Sequence, residues 1–308
     1  MATNNFKPFA IGNGANVTSQ SDYEQLVALL TGFQAGKASS AQINKALRQS
    51  SVMAHVLAQF ISDSAGVDVL DNGVPANILA NLKTGMTKVT PGRLIGIQYL
   101  TTAGTYIKTP GTKNVRVRGV GGGGAGGGVG ATSSGSVRAG GGGASGTYGE
   151  IWIPNVPDTV PFTIGAAGNG VLGGDGGNGG SSTFGSYLTL PGGGGGQLGI
   201  TVTGPARTAG GGSAAGVAVG ASYSVQGQRG SDAFAVSNAT VMAGSGSGNP
   251  LGTGASLFIA STSASVSSQG VSGSGSGSGG GGAVSGNGGT AQAGGSATAG
   301  AFIVEEFA

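Results

Sequence analysis

Runs of glycine framed by short strands are the feature that most limits what this chain can fold into. Of its 70 glycines, 59 lie at or after Gly119, yet the sequence closes on the apolar segment 301–304. A flexible glycine linker needs folded structure on both sides, and only thirteen residues follow Gly295. We therefore predict that the glycine-rich part is the body of a domain whose last strand returns to pair with its first.

Glycine runs of this kind are expected to become ordered only against one another. Fixing the backbone of one residue costs about 1–2 kcal/mol, and one hydrogen bond contributes about 0.5–1.5 kcal/mol in return. Because no side chains are buried, such runs need neighbouring runs to bond with. We predict stacked, polyglycine-II-like segments with three residues per turn. The main runs are residues 121–128, 140–143, 173–180, 192–196, 210–212 and 279–282.

Residues 1–92 are expected to form a helical attachment region. Ser21 and Glu24 have the spacing of a capping box, and the same pattern opens a second helix. A third helix has proline in its first turn, and a glycine follows each helix as a stop residue. The predicted helices cover residues 21–36, 39–66 and 75–85.

The second predicted helix carries an apolar stripe close to a heptad repeat. The stripe comprises Ile43, Leu47, Ala54, Leu57 and Ile61. Two helices alone bury little apolar surface. We therefore expect this region to pack against copies of itself or against a larger host structure.

Residues 93–308 are expected to form an all-β, glycine-rich domain, which makes the chain α+β overall. The segment 114–120 alternates strictly, with valines on one face and arginines on the other. Loops over residues 197–209 and 217–269 carry more varied side chains than the glycine runs. The predicted strands are residues 93–100, 105–108, 114–120, 150–153, 160–164, 182–190 and 302–307.

Charge and cysteine content exclude several classes of function. Residues 1–118 carry a formal charge of +6 and residues 119–308 carry −3, with the basic residues scattered rather than clustered. This distribution does not favour nucleic-acid binding. The chain has no cysteine and one histidine, so disulfide scaffolds and cysteine-based metal sites are excluded. We expect neither a secretory signal nor a membrane helix in this chain. We expect the chain to be synthesised in the cytoplasm of the producing cell.

Three short motifs favour structural interpretations over chemical ones. Residues 119–124 match a dinucleotide-binding pattern, but the glycine and serine that follow do not favour the helix such a site needs. Residues 173–178 offer one carboxylate, Asp175, which is too few for calcium. His55 lies in a helix and has no second histidine beside it. We expect no cofactor, no metal and no catalytic residue.

A glycosidase would need two facing carboxylates. Glu305 and Glu306 point to opposite sides of one strand, so they are not expected to form that pair together. The candidates in the glycine-rich part are Glu150, Asp158, Asp175, Asp232, Glu305 and Glu306.

Eight short motifs stand out along the chain, at residues 12–18, 21–24, 32–36, 41–50, 115–119, 162–168, 179–185 and 300–307. The N-terminal motifs resemble the opening of bacteriophage and prophage tail-fibre proteins. The remaining motifs resemble the glycine-rich domain at the ends of many such fibres. That domain is also similar, more loosely, to distal adhesins built from stacked polyglycine-II helices.

The resemblance implies a function at the virion surface. It implies a receptor-binding protein in the tail fibre, attached to phage tail or baseplate proteins through residues 1–92 and commonly homotrimeric. The partner outside the virion would be a host surface protein or lipopolysaccharide. Two alternatives remain open, namely a polysaccharide depolymerase tailspike and a purely structural fibre or baseplate connector.

Receptor contact is expected through the two side-chain-rich loops. Aromatic and arginine side chains are the usual energetic anchors of protein interfaces. The candidate receptor-binding residues are Arg207, Tyr223, Gln226, Arg229, Asp232 and Phe234.

Overall fold

The chain divides into two compact units, Met1–Arg93 and Leu94–Ala308. The structure, a computed structural model, describes residues 2–33, 39–261 and 265–308. The first unit is mostly helical and the second is mostly β, so the chain is α+β. In the described part of the chain no helix is long and apolar enough to cross a lipid bilayer.

In residues 2–33 and 39–93, the first unit has two short helices and two longer ones. Its second predicted helix is confirmed, whereas the first is two separate short helices and its predicted end at Gly36 lies outside the described residues. Neither short helix has a buried residue, and an isolated helix of about a dozen residues is marginal without packing. The helices are α1 (Gln20–Glu24), α2 (Ala28–Thr31), α3 (Ser40–Ala65) and α4 (Pro75–Val89).

Two predicted helix boundaries are wrong for identifiable reasons. The first helix begins after Ser19 rather than Ser21, because the Ser19 hydroxyl accepts from the Asp22 amide at 3.2 Å. The third predicted helix continues past Gly85 to Val89. A Cβ at Gly85 would lie 3.1 Å from Ser64 Cβ on α3, so this glycine permits close contact between helices and does not stop one.

A small core holds the first unit together. Ala58 and Ile61 of α3 pack with buried Val69, and Ile78 of α4 covers them. The residues near the N-terminus join this core through the parallel bridge between Asn4 and Val69 and through Phe6, which packs against the cluster. Ile61, predicted to extend the exposed stripe of α3, therefore belongs to the interior of the unit.

Among the described residues of the second unit, eighteen short strands form five antiparallel sheets. Their order within the three largest sheets is β1-β18-β3-β5-β10, β14-β12-β11-β9 and β2-β6-β7-β8, and β13-β16 and β15-β17-β4 form the other two. The strands are β1 (Leu94–Leu100), β2 (Gly104–Ile107), β3 (Asn114–Val120), β4 (Arg138–Ala139), β5 (Tyr148–Ile153), β6 (Thr159–Thr163), β7 (Ser182–Phe184), β8 (Leu188–Leu190), β9 (Ala206–Ala209), β10 (Tyr223–Val225), β11 (Ala233–Ser237), β12 (Thr240–Met242), β13 (Gly252–Thr253), β14 (Ile259–Ser261), β15 (Ser267–Ser268), β16 (Ser274–Gly275), β17 (Val284–Ser285) and β18 (Ala301–Phe307).

The last strand pairs with the first strand of the unit, as predicted. β18 lies between β1 and β3 and is hydrogen-bonded to both over nearly its full length. On β3, Val115 and Val117 are buried while Arg116 and Arg118 occupy the other face, which confirms the predicted alternation. One strand predicted over residues 182–190 is instead the hairpin β7–β8, because Gly185 turns the chain with φ +51°.

The main hydrophobic core lies between the five-stranded sheet and the sheet β2-β6-β7-β8. Phe302 and Val304 of β18 meet Phe184 of β7 there, and Tyr106 of β2 packs against the same phenylalanine. The rings of Phe184 and Phe302 are 5.8 Å apart. This core anchors the glycine segments that leave the ends of the strands.

The glycine segments hydrogen-bond with a period of three residues. Successive amides of residues 121–129 donate in rotation to three different neighbouring segments, with N···O distances of 2.8–3.1 Å. The carbonyl groups of residues 121–129 also accept hydrogen bonds from the amides of segments 193–199 and 280–283. The three sets of amides, beginning at Gly121, Gly122 and Gly123, donate to segments 141–147, 174–180 and 292–298, in that order.

A second segment, residues 140–147, repeats the arrangement. Its amides donate in rotation to segments 277–283, 191–197 and 228–231. Two adjacent segments are thus each surrounded by several others, and their backbone groups satisfy one another without side chains. A Cβ at Gly126 would overlap the Gly281 carbonyl oxygen, so this contact requires glycine.

Candidate binding surface

The sheet β14-β12-β11-β9 presents large side chains on one face and small ones on the other. Residues 197–209 and 217–269 were predicted as loops, but they contain strands, including β9, β11, β12 and β14. Alternating small and large residues build this sheet. Its inner face is formed by small side chains packed against Val137 and Val284; they are Ala209, Ala233, Ala235, Val241 and Ala260.

The outer face of this sheet carries a row of four side chains, one from each strand. Phe234 of β11 lies directly opposite Arg207 of β9 and Met242 of β12, and Met242 lies opposite Ile259 of β14. Phe234 is 46% exposed and Ile259 is 56% exposed. Val236 lies two residues from Phe234 on the same face and is also exposed. We call Arg207, Phe234, Met242 and Ile259 the contact row.

Asp232 holds two arginines at one end of the contact row. Its Oδ2 lies 2.9 Å from Arg207 Nε, and its Oδ1 accepts from Arg229 Nη2 at 2.5 Å. The Gly211 amide also donates to Oδ1, at 2.8 Å. This hydrogen bond lowers the pKa of Asp232 below its ordinary value, and the two guanidinium groups lower it further while partial burial opposes them.

The structure therefore brings four of the six predicted residues together and places two elsewhere. Arg207, Arg229, Asp232 and Phe234 form one cluster. Tyr223 lies on β10, at the edge of the five-stranded sheet, opposite Glu150.

Gln226 is tied to the backbone and lines a cleft. Gln226 Nε2 donates a hydrogen bond to the Ala215 carbonyl at 2.7 Å, so the side-chain amide nitrogen already has a partner. The cleft beside it is about 510 Å³ and is lined by Gln228, Asn249, Pro250 and the neighbouring glycines. Gln226 is therefore a part of the wall of this cleft and is separate from the contact row.

Two residues that sequence reasoning left out belong to these surfaces. Ile259 completes the contact row, but its strand of three residues is too short to show an alternating pattern. Trp152 lies on the outer face of β5 and is half-exposed, although it had been assigned only to a strand. A single tryptophan at an outward position of an alternating strand is the pattern that could have identified it.

The carboxylates that could have formed a glycosidase pair each have a partner. Asp158 pairs with Lys108 at 2.8 Å, Asp175 accepts from the Leu198 amide at 2.6 Å, and Asp232 holds two arginines. Glu150 and Glu305 both pair with Arg116, and Glu306 is buried on the opposite face, as predicted for adjacent residues of one strand.

The remaining motifs also have structural partners. Asn178 Oδ1 accepts a hydrogen bond from the Gly195 amide at 2.8 Å, which ties residues 173–178 to a neighbouring glycine segment. His55 Nδ1 lies 2.7 Å from the Phe6 carbonyl oxygen and anchors the N-terminal segment to α3. Within the described ranges, no three histidine, aspartate or glutamate side chains are grouped closely enough to hold a metal ion.

Comparisons with known proteins add no family assignment. No protein-family model matches the chain, and no curated protein sequence is significantly similar to it.

Proposed function

We propose that this chain is a bacteriophage tail-fibre or receptor-binding protein that attaches the virion to the surface of its bacterial host without catalysis. The motifs of the N-terminal part and of the glycine-rich part support a place in the tail fibre. The observation that carries the proposal is the three-residue hydrogen-bond period of the glycine segments. It orders the glycine segments into one hydrogen-bonded body, and the same unit carries a sheet with large exposed side chains.

The glycine segments are, in this proposal, polyglycine-II helices stacked side by side. Three residues per turn is the period of that helix, and each turn then presents one amide to each of three neighbours. The rotation of donors along residues 121–129 and 140–147 fits this period. Such a body has few side chains to vary, so recognition falls to the segments that connect the stacked runs.

Receptor contact is made through the contact row and the arginine pair beside it. Phe234 and Arg207 are neighbours on one face, and aromatic and arginine side chains are the commonest energetic anchors of interfaces. Asp232 fixes the Arg207 and Arg229 guanidinium groups before binding, so less side-chain entropy is lost when a partner arrives. The partner is a host surface protein or lipopolysaccharide.

The absence of catalysis is proposed because the carboxylates have structural partners. Glu150 and Glu305 are both held by Arg116, and Glu306 is buried beneath four donors. A glycosidase needs one carboxyl group free to donate a proton and a second free to accept one or to attack.

The N-terminal unit provides attachment and assembly in this proposal. It fastens the fibre to tail or baseplate proteins, and three copies associate through α3. Ile43, Leu47 and Leu57 of its apolar stripe are exposed in the single chain, while Ile61 at the end of the stripe is buried in the core of the unit. An apolar stripe with this spacing is typical of helices that pack against copies of themselves.

The proposal is tested by binding of the purified, fluorescently labelled full chain to a panel of bacterial strains. We expect Phe234→Ala to weaken binding to a susceptible strain about thirtyfold, the effect of losing about 2 kcal/mol from an anchor residue. Ile107→Ala is the control, because Ile107 is an exposed apolar residue of another sheet.

Each other outcome contradicts the proposal in a different way. Equal loss of binding in both variants would show that the contact row is not the receptor-binding surface. Release of reducing sugar from host polysaccharide by the purified chain would favour a depolymerase. A chain that binds no strain and blocks no infection would favour a structural connector.

A further inference from the structure

The outer face of the five-stranded sheet carries a balanced charge network. Arg118 Nη2 pairs with Glu305 Oε1 at 2.6 Å, and Glu305 Oε2 lies 3.6 Å from Arg116 Nη1. Arg116 also pairs with Glu150, its Nε donating to Glu150 Oε2 at 2.9 Å. Two guanidinium groups therefore oppose two carboxylates, and this patch has no net charge.

Aromatic side chains border this network at its β10 edge. Trp152 lies two residues beyond Glu150 on the same face of β5, and Tyr223 of β10 lies directly opposite Glu150. The indole is 46% exposed and the phenol ring is 57% exposed. Phe307 supports the indole from its other side, with ring centroids 5.1 Å apart. The indole is thus held in place while part of its surface faces solvent.

A small cleft lies among these groups. It has a volume of about 200 Å³ and is lined by Arg116, Glu150, Ile151, Trp152, Ser222 and Tyr223. Pockets for drug-sized ligands occupy about 300–1,000 Å³. This cleft is smaller, and it fits a single six-membered ring with its substituents.

Two hydrogen-bonding groups in the cleft remain free to meet a ligand. Glu150 Oε2 is occupied by Arg116, whereas Glu150 Oε1 accepts no hydrogen bond from the described residues. The Ser222 hydroxyl likewise has no hydrogen-bond partner among them, although its amide donates to the Glu150 carbonyl. A carboxylate oxygen accepts from a hydroxyl group, and a serine hydroxyl both donates and accepts.

We propose that this cleft binds one neutral hexopyranose unit. The C–H face of a pyranose ring packs on an aromatic face, which Trp152 and Tyr223 provide, and its hydroxyl groups pair with Glu150 and Ser222. A neutral sugar fits because the charges around the cleft cancel. The assignment rests on the proposed function, since it names a sugar of the bacterial surface as a second ligand, apart from the contact row.

The single tryptophan makes a direct test possible. Trp152 is the only tryptophan of the chain, so its fluorescence reports on this cleft alone. We would titrate the full chain separately with D-glucose, D-galactose and N-acetyl-D-glucosamine. A ligand of about a dozen heavy atoms with ordinary ligand efficiency binds with a Kd on the order of 1–10 mM. At least one of these sugars should therefore change the emission in a saturable way.

Tyr223→Ala and Tyr99→Ala form a matched pair of variants. Both tyrosines are exposed on the same face of the sheet, but Tyr99 lies on β1, away from the cleft. We expect Tyr223→Ala to weaken sugar binding about threefold to tenfold, the effect of losing one aromatic contact, and Tyr99→Ala to leave it unchanged.

The assignment is overturned if none of the three sugars changes the emission, or if both tyrosine variants bind equally well. Binding to bacterial strains is measured in parallel with the same proteins. A chain that binds cells but no sugar contradicts only the cleft assignment. A chain that binds sugar through Tyr223 but no cells supports the cleft and contradicts the proposed receptor function.

Discussion

Glu306 shows how a fully buried carboxylate is stabilised without a cation. Its Oε1 accepts from Tyr106, Gln98 and the Thr109 amide at 2.7–3.1 Å, and its Oε2 accepts from the Thr109 hydroxyl at 2.6 Å. Burial would by itself raise the pKa of Glu306, but these hydrogen bonds outweigh it and lower the pKa below its ordinary value. The same carboxylate raises the pKa of Tyr106 together with burial of the phenol.

The lowered pKa predicts a dependence of stability on pH. Since the folded state holds the carboxylate more strongly than the unfolded state, the stabilisation is present above the ordinary pKa of 4.5. It is lost as pH falls through the lower, folded-state value. We expect the free energy of unfolding to decrease from about pH 5 to pH 3.

The Glu306→Gln variant isolates this effect. It keeps the shape of the side chain but does not titrate, so its stability should fall less steeply over the same pH range. Urea denaturation at several pH values measures both slopes. Equal slopes for the two proteins would show that Glu306 has the same pKa in the folded and unfolded states.

Substitution of alanine for Gly126 and for Gly204 is expected to change stability by very different amounts. A Cβ at Gly126 would overlap the Gly281 carbonyl oxygen, whereas no heavy atom lies within 4 Å of a Cβ at Gly204. We expect Gly126→Ala to destabilise the second unit by about 2–4 kcal/mol. Gly204→Ala should change its stability by no more than about 0.5 kcal/mol. The melting temperature of each variant checks this, and a similar decrease in both would contradict the close packing of the glycine segments.

At the scale of elements, β18 separates a core face from an outer face within one strand. Phe302 is fully buried against Phe184, while the adjacent Ile303 lies on the outer face. We expect Phe302→Ala to cost about 3–5 kcal/mol, because a large core side chain is lost. Ile303→Ala should cost about 1 kcal/mol. Chemical denaturation of both variants measures the difference, and similar losses would mean that the faces of β18 are assigned wrongly.

Elements of four or more residues were largely predictable from the sequence, whereas most strands of two or three residues were not. α3 has a clear apolar period and a glycine at its end, and β3 alternates over seven residues, so both were identified. Strands such as β12 and β14 have three residues, which is less than two full periods of alternation. Their stability comes from pairing within the sheet, β12 with β11 and β14 with β12, and from the alanine-lined core, and neither is visible in a local pattern.

At the scale of the whole molecule, the order in which glycine segments meet was not predictable. The entropy lost on ordering glycine predicts that neighbouring runs hydrogen-bond to one another. It does not predict which segments pair, because a glycine carries no side chain to distinguish one neighbour from another. The pairing of residues 121–129 with segments 141–147, 174–180 and 292–298 depends on where the strands anchor each end.

The contact row was foreseen in part for a related reason. Arg207 and Phe234 were selected by residue type, and the register of β9 and β11 then placed them side by side. Tyr223 was selected by the same criterion but lies in a different sheet. Residue type identifies candidates for recognition, whereas the sheet register decides which of them share a surface.

Assembly of several copies is the last property that the exposed stripe of α3 predicts. Leu47 and Leu57 lie ten residues apart, on the part of the stripe that the core of the first unit leaves exposed. We expect the double variant Leu47→Glu/Leu57→Glu to lower the sedimentation mass from that of three 29.0 kDa chains to that of one, because paired copies would bury these carboxylates without partners. Leu79→Glu is the control, since Leu79 is equally exposed but lies on α4. A wild-type mass of one chain would contradict the trimer, and a trimeric double variant would place its interface elsewhere.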